Sequence, residues 1–443
     1  MCYDQNGARL RLPAQYCPVA AFTGVAAFNV DGVTIHSLFR LLLGNADDRA
    51  LSPDQVQSLQ DKLKDVQYLI LDEISMLGST MLTKIHERLA VAFPAATDRG
   101  LPFGGRSLIM IGDFAQLPPV SDISMYALPQ RTGKVGVVRG FNLYRQFTLF
   151  VRLSANMRQQ GHDQDVFRSI LSRARDGEWT EDDRRVLFNH RNIQLLSPAE
   201  QRSFDNASRL LPTNEGVRDY NRSALERLGH PIAIIKAVNT SAGNINHTDV
   251  GLARVDSDIA CNLTQNLNLS VGARVMVKKN LWTTKGLVNG ALGYIRGIVW
   301  STYDRDKLPD FVLVEMDNYS GPTFLQDFPR IIPIPPYKGS FEHKGTACTR
   351  TQLPLVLSWA ITIHKSQGMT LDKAVVDIGR KEMSNGITFV AVSRVRRMAD
   401  IAFSATYTMQ RLSTIKNGSR MGARLKEEKR LDTMSIVPLA ADS

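Results

Sequence analysis

Two adjacent carboxylates, Asp72 and Glu73, follow the apolar run YLIL. In an open α/β sheet, ligands bind at the carboxyl ends of the strands. At such a place Asp72 can hold Mg²⁺ directly or through water, and Glu73 can polarise a water molecule for attack on a phosphoryl group. A solvated strand end, or a charge pair at the start of a helix, would explain the same two residues. Taken alone, the pair leaves both interpretations open.

A second apolar run, SLIMI, ends at Gly112-Asp113 and continues into Gln116 and the pair Pro118-Pro119. The prolines make the turn rigid and stop any helix. A rigid turn can hold Gln116 where its amide senses the γ-phosphate of a nucleotide. A surface turn in which Gln116 has no role is the alternative.

Two arginines are candidates for neutralising charge on a transferring phosphoryl group. Arg394 lies in FVAVSRVRR, where we expect it with Ser393 on a short helical stretch, and Arg158 lies in NMRQQ. An arginine supplied from the same chain can stabilise the charge of the transition state. A basic surface helix is the alternative for Arg394.

Small hydroxyl groups, backbone donors and cations that suit a nucleic-acid backbone occur in two segments. Such groups position a protein on phosphates without reading the bases. The first segment holds Thr23, Gly24 and His36, and a helix N-cap with a core histidine would explain it equally well. The second segment is denser, with one face suited to a nucleic-acid backbone and another to a nucleotide; it consists of His364, Lys365, Ser366, Gln367 and Gly368.

The charge balance favours a polyanionic partner. The chain has 443 residues, with 54 Lys and Arg against 43 Asp and Glu, and a formal net charge of +11. This excess suits nucleic acid or an anionic membrane surface and does not choose between them. The segment 394–430 is especially basic, and both a phosphate-contacting tail and a solvated flexible end remain open for it.

The cysteines and the apolar runs narrow the cellular context. Cys2, Cys17, Cys261 and Cys348 form no C-x-x-C pair, which argues against a zinc site or a disulfide framework. No apolar run is long enough to cross a bilayer, and the N-terminus lacks the apolar core of a secretory signal. We therefore expect an intracellular protein that is not secreted and has no membrane partner, in the nucleus or a mitochondrion rather than the cytosol.

The elements that must position these residues follow an α/β pattern. CPVAAF, YLIL and SLIMI are predicted strands, and Leu82, Ile85 and Leu89 recur at helical spacing after Glu73. Residues 126–150 are predicted as a connector to a second α/β unit.

That second unit begins with FRSILSRARDGEWTEDDRRVLF, predicted as two helices separated at Asp176-Gly177, and continues with a strand, a turn and a helix in RLLPTNEGVRDYNRSALERL. Residues 265–345 instead show short alternations with NG and SG turns, typical of a small β-barrel or meander. The α/β pattern returns at PLVLSWAITIHKSQG. We predict two doubly wound α/β units, the second interrupted by a β-rich insert.

Eight segments then occur in a fixed order: TGVAAFNVDGVTIHS, LDEISM, GDFAQLPPV, NMRQ, LLPTNEGV, GARVMVKKN with GLVNGALG, WAITIHKSQGMTL, and AVSRVR. From about residue 19 to about residue 405, this set resembles the superfamily-one DNA helicases of the petite integration frequency (PIF) type. That group includes the helicase parts of Helitron rolling-circle transposons and is similar to the RecD branch. The resemblance is specific, because eight ordered motifs do not arise by chance.

The resemblance implies two RecA-like domains of the P-loop NTPase type that clamp ATP and Mg²⁺ and move 5′-to-3′ along single-stranded or forked DNA. We place the first domain at 1–145, the second at 146–295 and 350–443, and a small inserted β-barrel at 296–349. The implied roles at the nucleotide are Mg²⁺ ligand for Asp72, catalytic base for Glu73, γ-phosphate sensor for Gln116, catalytic arginines for Arg158 and Arg394, and coupling to DNA for Gln367 and Gly368. The implied DNA contacts are Thr23, Gly24, His36, Thr213, Asn214, His364, Lys365 and Ser366.

The chain departs from the family in three places. AFTG stands for the usual APTG, and AVSR for the usual ALSR; both changes are mild. The third departure is severe, because the family needs a phosphate loop of the form G-x-x-x-x-G-K-[ST] before the Thr23 motif. Gly133-Lys134 is followed by Val135, lacks the first glycine and lies in the wrong place. About twenty residues precede Thr23, too few for a strand, a loop and a helix.

Two explanations fit the missing loop. The sequence is an N-terminally truncated gene model or transposon remnant, or it is a degenerate paralogue without ATPase activity. We favour truncation, because every other catalytic residue is retained, and the 5′ end of the native transcript would decide between them. In both cases we expect these 443 residues to be inactive as an ATPase. We also expect poor stability, because a sheet without its phosphate-loop strand leaves apolar faces uncovered.

We therefore expect an ATP-dependent DNA helicase of the PIF type that acts in DNA repair, recombination or telomere maintenance. The alternative is an ATPase-inactive module that binds single-stranded DNA, or a transposon remnant. A third hypothesis, a two-metal nuclease built on Asp72, Glu73 and Asp113, leaves the glutamine and arginine residues without a role. The oligomeric state does not follow from the residues.

Overall fold

The computed structural model describes residues 14–41, 51–130, 134–242, 250–301, 307–416 and 419–434, together with the backbone pairing of Cys2–Tyr3 and Arg9–Leu10. The chain forms two units: the first comprises Met1–Pro212 with Ser366–Ser443, and the second comprises Thr213–Lys365.

The first unit contains the predicted sheet of parallel strands around the acidic pair. The strands lie in the order Val33–Thr34, Val19–Ala21, Tyr68–Asp72 and Ser107–Met110. Leu69 and Leu71 of the central strand are buried against Leu82, Ile85 and Leu89, which confirms the predicted strand-to-helix step. The helices of this part are Gly24–Asn29, Ile35–Phe39, Pro53–Leu63, Ser79–Ala92, Pro94–Thr97 and Val135–Tyr144.

The prediction of a connector at 126–150 is wrong, because this segment contains the packed helix Val135–Tyr144. Its residue Gly140 lies so close to the helix Ser79–Ala92 that a Cβ there would be 1.9 Å from the Ser79 carbonyl oxygen. The Thr83 hydroxyl donates to the Gly136 carbonyl at 2.6 Å. A small residue at the contact lets the two helices approach closely, so this helix joins the core of the first sheet.

A second set of parallel strands in the same unit consists of Ser208–Leu211, Ala374–Val376 and Ile401–Phe403. The predicted stop between two helices is confirmed, because Gly177 has a φ of 71° and caps Asp165–Asp176 in the left-handed conformation. The remaining helices are Glu181–Asp183, the π-helix Arg184–Asn189, Pro198–Arg202, Ile387–Val392, Met409–Ser413 and Ser419–Asp432. Mixed α/β structure with parallel sheets is therefore confirmed.

The second unit is rich in antiparallel strands, as predicted for residues 265–345. Its largest sheet runs in the order Ile331–Ile334, Phe311–Met316, Leu292–Val299, Arg274–Val277 and Leu355–Leu357, which is a meander with one added strand. This sheet draws strands from both sides of the predicted boundaries at 296 and 349, and the division into three domains stays a proposal. The other elements are the helix Asn214–Arg227 and the strands Ala233–Lys236, Val238–Ser241, Asn266–Leu269, Tyr337–His343, Thr346–Gln352 and Ala360–Thr362.

One edge of the first sheet carries exposed apolar side chains. Among the described residues, the strand Ser107–Met110 pairs only with Tyr68–Asp72. Ile109 is 45% exposed, and Ile111, just beyond the strand, is 41% exposed. The exposed edge accords with the predicted poor stability, which stays a prediction. In the part of the chain that is described, no helix has the length and apolarity needed to cross a membrane.

Candidate functional site

The acidic pair lies at the carboxyl end of the central strand Tyr68–Asp72, as predicted. Asp72 Oδ1 accepts the Glu73 backbone N–H at 2.8 Å. Glu73 has φ 55° and ψ 45°, a left-handed conformation that residues with a side chain rarely adopt. Backbone strain of this kind persists only where the surroundings hold it, and it concentrates at functional sites.

Gln367 and Gly368 meet Glu73 directly. The Gln367 amide donates to Glu73 Oε2 at 3.2 Å and to Ser75 Oγ at 2.9 Å, and Gln367 is only 2% exposed. Gly368 has a φ of 77°, and a Cβ there would lie 3.7 Å from Glu73 Oε1. Its carbonyl accepts from Asn29 Nδ2 at 3.0 Å, which ties it to the helix that begins after Thr23. The predicted coupling segment therefore touches the predicted base.

Ser75 and Asn29 were not predicted as site residues. Both lie inside two of the ordered motifs, LDEISM and TGVAAFNVDGVTIHS, so the sequence contained the signal. Their partners lie 292 and 339 positions away in the chain, so only the folded structure identifies the contacts.

Arg158 is partly buried and reaches the same region. Its Nε donates to Thr370 Oγ1 at 3.2 Å, and its Nη1 donates to the Ser393 carbonyl at 3.2 Å. Burial lowers the pKa of Arg158, and the charge of Glu73 opposes that decrease. The guanidinium is therefore held by few bonds, close enough to Glu73 to interact with its charge.

Arg394 is held much more firmly, and its predicted placement on a helix is wrong. The helix Ile387–Val392 ends before it, because Ser393 already leaves the helical conformation as the C-cap. Arg394 is 1% exposed and donates from Nε to the Val390 carbonyl at 2.7 Å. Its Nη1 lies 3.4 Å from the carbonyl oxygens of Ser366 and Met369.

The charges around Arg394 are consistent with a site for phosphate. Burial and the nearby charge of Arg158 lower the pKa of Arg394 to about 9, which leaves the guanidinium charged at neutral pH. Glu73 and Asp113 act in the opposite direction. Buried Arg394 and partly buried Arg158 lie near the carboxylates Glu73 and Asp113, and the two guanidinium groups can also attract the negative charge of a phosphoryl group.

Burial raises the pKa of both carboxylates of the acidic pair. For Asp72, the bond from the Glu73 N–H partly offsets the effect of burial. For Glu73, the Gln367 bond and the two arginines offset it, while the charge of Asp72 adds to it. A raised carboxylate pKa is the usual tuning of a general base.

Gln116 lies in the turn 113–119, named the sensor loop from here on. Its backbone N–H donates to the Asp113 carbonyl at 3.0 Å, and the Ala115 N–H donates to Asp113 Oδ1 at 3.0 Å. The Gln116 Oε1 atom is buried and has no hydrogen-bond partner among the described residues. An unsatisfied buried oxygen of this kind suits a ligand or a bound water. The structure shows no bond between the Gln116 side chain and Glu73, Arg158 or Arg394 in the described part.

Asp113 accepts from Arg175 Nη2 at 2.8 Å. Within the described ranges, no three His, Cys, Asp or Glu side chains are grouped so that they could hold a metal ion. The two-metal nuclease hypothesis therefore gains no support. A single carboxylate such as Asp72 still fits Mg²⁺, because this ion is usually bound through one or two carboxylates plus phosphates of the substrate.

The predicted DNA contacts of the first unit have local structural roles as well. Thr23 caps the helix Gly24–Asn29, and its side chain accepts the Ala26 N–H at 3.2 Å. Gly24, the first residue of this helix, is buried. The His36 ring packs edge-on against Phe22 at 5.6 Å between centroids. Ser366 is buried, and its carbonyl faces Arg394. DNA contact by these residues remains a prediction.

In the second unit, Thr213 caps the helix Asn214–Arg227 by accepting the Gly216 N–H at 3.2 Å, and Asn214 is exposed at the first turn. His364 is partly buried and Lys365 is exposed, both in the turn Ile363–Ser366. Burial and the charge of Lys365 lower the pKa of Lys278 to about 8. Lys278 lies in the quoted motif GARVMVKKN but was not singled out, because the motif alone does not show which side chain approaches Lys365.

Comparisons with known proteins give a consistent result. Residues 6–185 match the family model described as PIF1-like helicase, and residues 257–298 match the 2B domain of the DNA helicase Pif1. The chain is 30% identical over 389 residues to the ATP-dependent DNA helicase PIF1 of Xenopus laevis, which covers 87% of this chain and 54% of that protein. It is 30% identical over 385 residues to the ATP-dependent DNA helicase Pif1 of Bdellovibrio bacteriovorus, covering 86% of this chain and 76% of that protein.

A solved structure of Pif1 helicase from Bacteroides, in complex with ADP-AlF3 and ssDNA, is similar with a TM-score of 0.62 and 28% identity. The match covers 89% of this chain and 84% of that one. The chain spans about half the length of the first curated relatives it matches.

Proposed function

This chain belongs to the PIF1-like helicase family, and on that premise we propose that the protein is an ATP-dependent DNA helicase that moves 5′-to-3′ on single-stranded or forked DNA. The observation that carries the proposal is the meeting of Glu73, Arg158, Arg394 and Gln367 in one cluster, in which Gln367 and Arg394 are buried. The similarity to a Pif1 structure with ADP-AlF3 and ssDNA supports an adenine nucleotide as cofactor and DNA as partner. Mg²⁺ is proposed as the second cofactor because a single carboxylate such as Asp72 suits it.

The proposal gives each residue of this cluster one step in ATP hydrolysis. Glu73 accepts a proton from the water that attacks the γ-phosphoryl group, and Gln367 holds its carboxylate in place. Arg158 and Arg394 neutralise the charge that develops on the phosphoryl oxygens. Asp72 would hold Mg²⁺, which when bound would supply positive charge at the phosphate oxygens of the nucleotide. We propose that Gln367 couples ATP hydrolysis to DNA binding. Its neighbour Ser366 is a proposed DNA contact, and its neighbour Gly368 lies beside Glu73.

The finer expectations extend the same proposal. We propose action in DNA repair, recombination or telomere maintenance, a location in the nucleus or a mitochondrion, and a relation to Helitron helicases. The proposed DNA contacts are Thr23, Gly24, His36, Thr213, Asn214, His364, Lys365 and Ser366.

A second candidate function follows from the motif absent from the 443 residues, G-x-x-x-x-G-K-[ST]. Without the backbone donors and the lysine of that loop, the β- and γ-phosphates lack their main ligands. We propose that the 443-residue chain by itself binds single-stranded DNA and hydrolyses ATP no faster than background.

The test is to measure ATP hydrolysis by the native protein, purified from its cells, with and without single-stranded DNA. We expect DNA to stimulate hydrolysis, and Glu73→Gln to reduce the stimulated rate by about 10²- to 10⁴-fold, the usual contribution of a general base. DNA binding by Glu73→Gln should stay at the parent level, which controls for folding. Absence of DNA-stimulated hydrolysis in the parent protein would overturn the helicase proposal, and retained DNA binding would then favour the binding module.

A further inference from the structure

The C-terminal helix Ser419–Asp432 is anchored inside the first unit, unlike either form expected for the basic segment 394–430. The Tyr144 hydroxyl donates to Glu427 Oε1 at 2.7 Å, and Glu427 is only 5% exposed. Arg430 binds the same carboxylate through Nε and Nη2, at 2.6 to 3.0 Å. Arg424 is buried and donates to Asp176 Oδ1 at 2.8 Å. These cations are engaged inside the protein, so they form neither a phosphate-contacting tail nor a flexible end.

Arg175 joins this helix to the sensor loop. Its Nη2 atom donates to Asp113 Oδ1 at 2.8 Å and to Glu428 Oε1 at 2.8 Å, and its Nη1 donates to Glu428 Oε2 at 3.0 Å. One nitrogen therefore bridges two carboxylates that lie far apart in the sequence. Because both carboxylates are partly or largely buried, they would repel each other at this distance without the guanidinium.

The bond to Asp113 acts on the part of the loop that carries Gln116. Asp113 Oδ1, the atom that Arg175 binds, also accepts the Ala115 N–H, and the Asp113 carbonyl accepts the Gln116 N–H. The C-terminal helix closes over the same loop, because Gln116 and Pro118 line one small cavity together with Met421 and Arg424. The position of Gln116 therefore depends on a contact made by a helix about 300 positions later in the chain.

We propose that Arg175 is a positioning residue of the nucleotide site, and that through it the C-terminal helix sets the orientation of the sensor loop. This inference rests on the proposed role of Gln116 as γ-phosphate sensor. A movement of the C-terminal helix would change the rate of ATP hydrolysis without touching the nucleotide. Binding of a γ-phosphate at Gln116 would in turn tighten the contact between this helix and the sensor loop.

The first test is backbone hydrogen exchange of the nucleotide-free 443-residue chain. Arg175→Ala removes the charged hydrogen bond that holds Asp113, the residue to which the Ala115 and Gln116 N–H groups donate. We expect exchange at these two amides to accelerate about tenfold or more. Glu428→Gln keeps the shape of the side chain and should also accelerate exchange at Ala115 and Gln116. It serves as the test variant if Arg175→Ala does not fold. The matched control is Arg173→Ala on the same helix, whose partner is Asp183 and which should leave the sensor loop unchanged.

The second test separates positioning from general stability. In the protein as its cell makes it, Arg175→Ala should lower kcat of DNA-stimulated ATP hydrolysis about 10- to 100-fold, as a small misplacement of a catalytic group does. KM for ATP and Kd for single-stranded DNA should stay within about twofold, because the contacts of the ground state remain. Arg175→Lys, which can still reach one carboxylate, should restore part of kcat.

The outcomes distinguish this inference from the proposed function. If Ala115 and Gln116 exchange at the parent rate in Arg175→Ala and Glu428→Gln, or if Arg173→Ala accelerates them equally, the positioning role is overturned. That result does not depend on nucleotide. If the exchange effect is present but the parent protein shows no DNA-stimulated hydrolysis, the contact is confirmed and the helicase proposal fails.

Discussion

The backbone conformation, burial and hydrogen bonding of Glu73 together fit its proposed role as general base. Its backbone is left-handed, its carboxylate is largely buried, and its nearest donor is Gln367 from the far end of the chain. Burial disfavours the ionised form, while Arg158 and Arg394 favour it. The net effect raises the pKa of Glu73 above its ordinary value, which is the direction of tuning expected for a general base.

The raised pKa of Glu73 predicts a pH dependence of stability. Because the folded chain binds this proton more tightly than the unfolded chain, the contribution to the free energy of unfolding is fully present below the unfolded pKa of about 4.5. It is lost as the pH rises through the higher folded pKa. We expect Glu73→Gln to remove this loss, so that the variant gains stability relative to the parent between pH 5 and pH 8.

Denaturant titrations at the two pH values measure this difference. Asp98→Asn, a change at an exposed carboxylate, is the control and should follow the parent. Equal pH dependence of the parent and Glu73→Gln would show that burial does not raise the pKa of Glu73.

At the scale of elements, the helix Ile387–Val392 shapes the sensor loop through the glycine that precedes it. Gly386 has a φ of 80°, and a Cβ there would lie 2.3 Å from the Ala115 carbonyl oxygen and 2.9 Å from that of Gln116. A backbone oxygen cannot move aside as a flexible side chain can. The start of this helix and the sensor loop are therefore packed to the limit of contact.

Gly386→Ala tests this packing against Gly100→Ala. Both glycines have positive φ, but a Cβ at Gly100 would meet no atom within 4 Å. Both substitutions should lose about 1 kcal/mol through the left-handed backbone. Gly386→Ala should lose roughly 1 to 3 kcal/mol more, as overpacked sites do. Thermal or denaturant unfolding measures the difference. Equal losses of stability in the two variants would show that the sensor loop shifts to accommodate the added methyl group without further destabilisation.

At the scale of the whole molecule, the total of 54 Lys and Arg overstates the cations available to DNA. Arg175, Arg411, Arg424 and Arg430 are paired with carboxylates inside the first unit. Binding should therefore depend on a smaller number of exposed side chains, among them Lys365.

Salt dependence of DNA binding measures that number. For single-stranded DNA, log K falls with log salt at a slope of about 0.7 per phosphate contact. We expect Lys365→Ala to reduce the slope by about that amount and to weaken binding similarly for different base sequences. Lys64→Ala, an equal change of charge at another exposed lysine, should leave the slope nearly unchanged. Fluorescence anisotropy with a labelled oligonucleotide is sufficient, and identical slopes for the two variants would remove Lys365 from the interface.

Local features of the sequence determined the strands around the acidic pair, the helix that follows it and the stop at Gly177. Each depends on neighbouring residues: an apolar run, a periodicity of 3.6, or a glycine free to adopt positive φ. The family also follows from the sequence, because its motifs are contiguous and ordered. The β-rich character of 265–345 was visible for the same reason.

Tertiary structure alone decided how these pieces meet. Gln367 reaches Glu73 across 294 positions, and Tyr144 reaches Glu427 across 283. The predicted connector contains the packed helix Val135–Tyr144, because Gly140 allows an approach that only the facing helix reveals. Arg175 carries no motif at all; its role appears only when Asp113 and Glu428 are brought to one nitrogen. Composition and spacing report what a residue can do, while long-range packing selects the partner with which it does it.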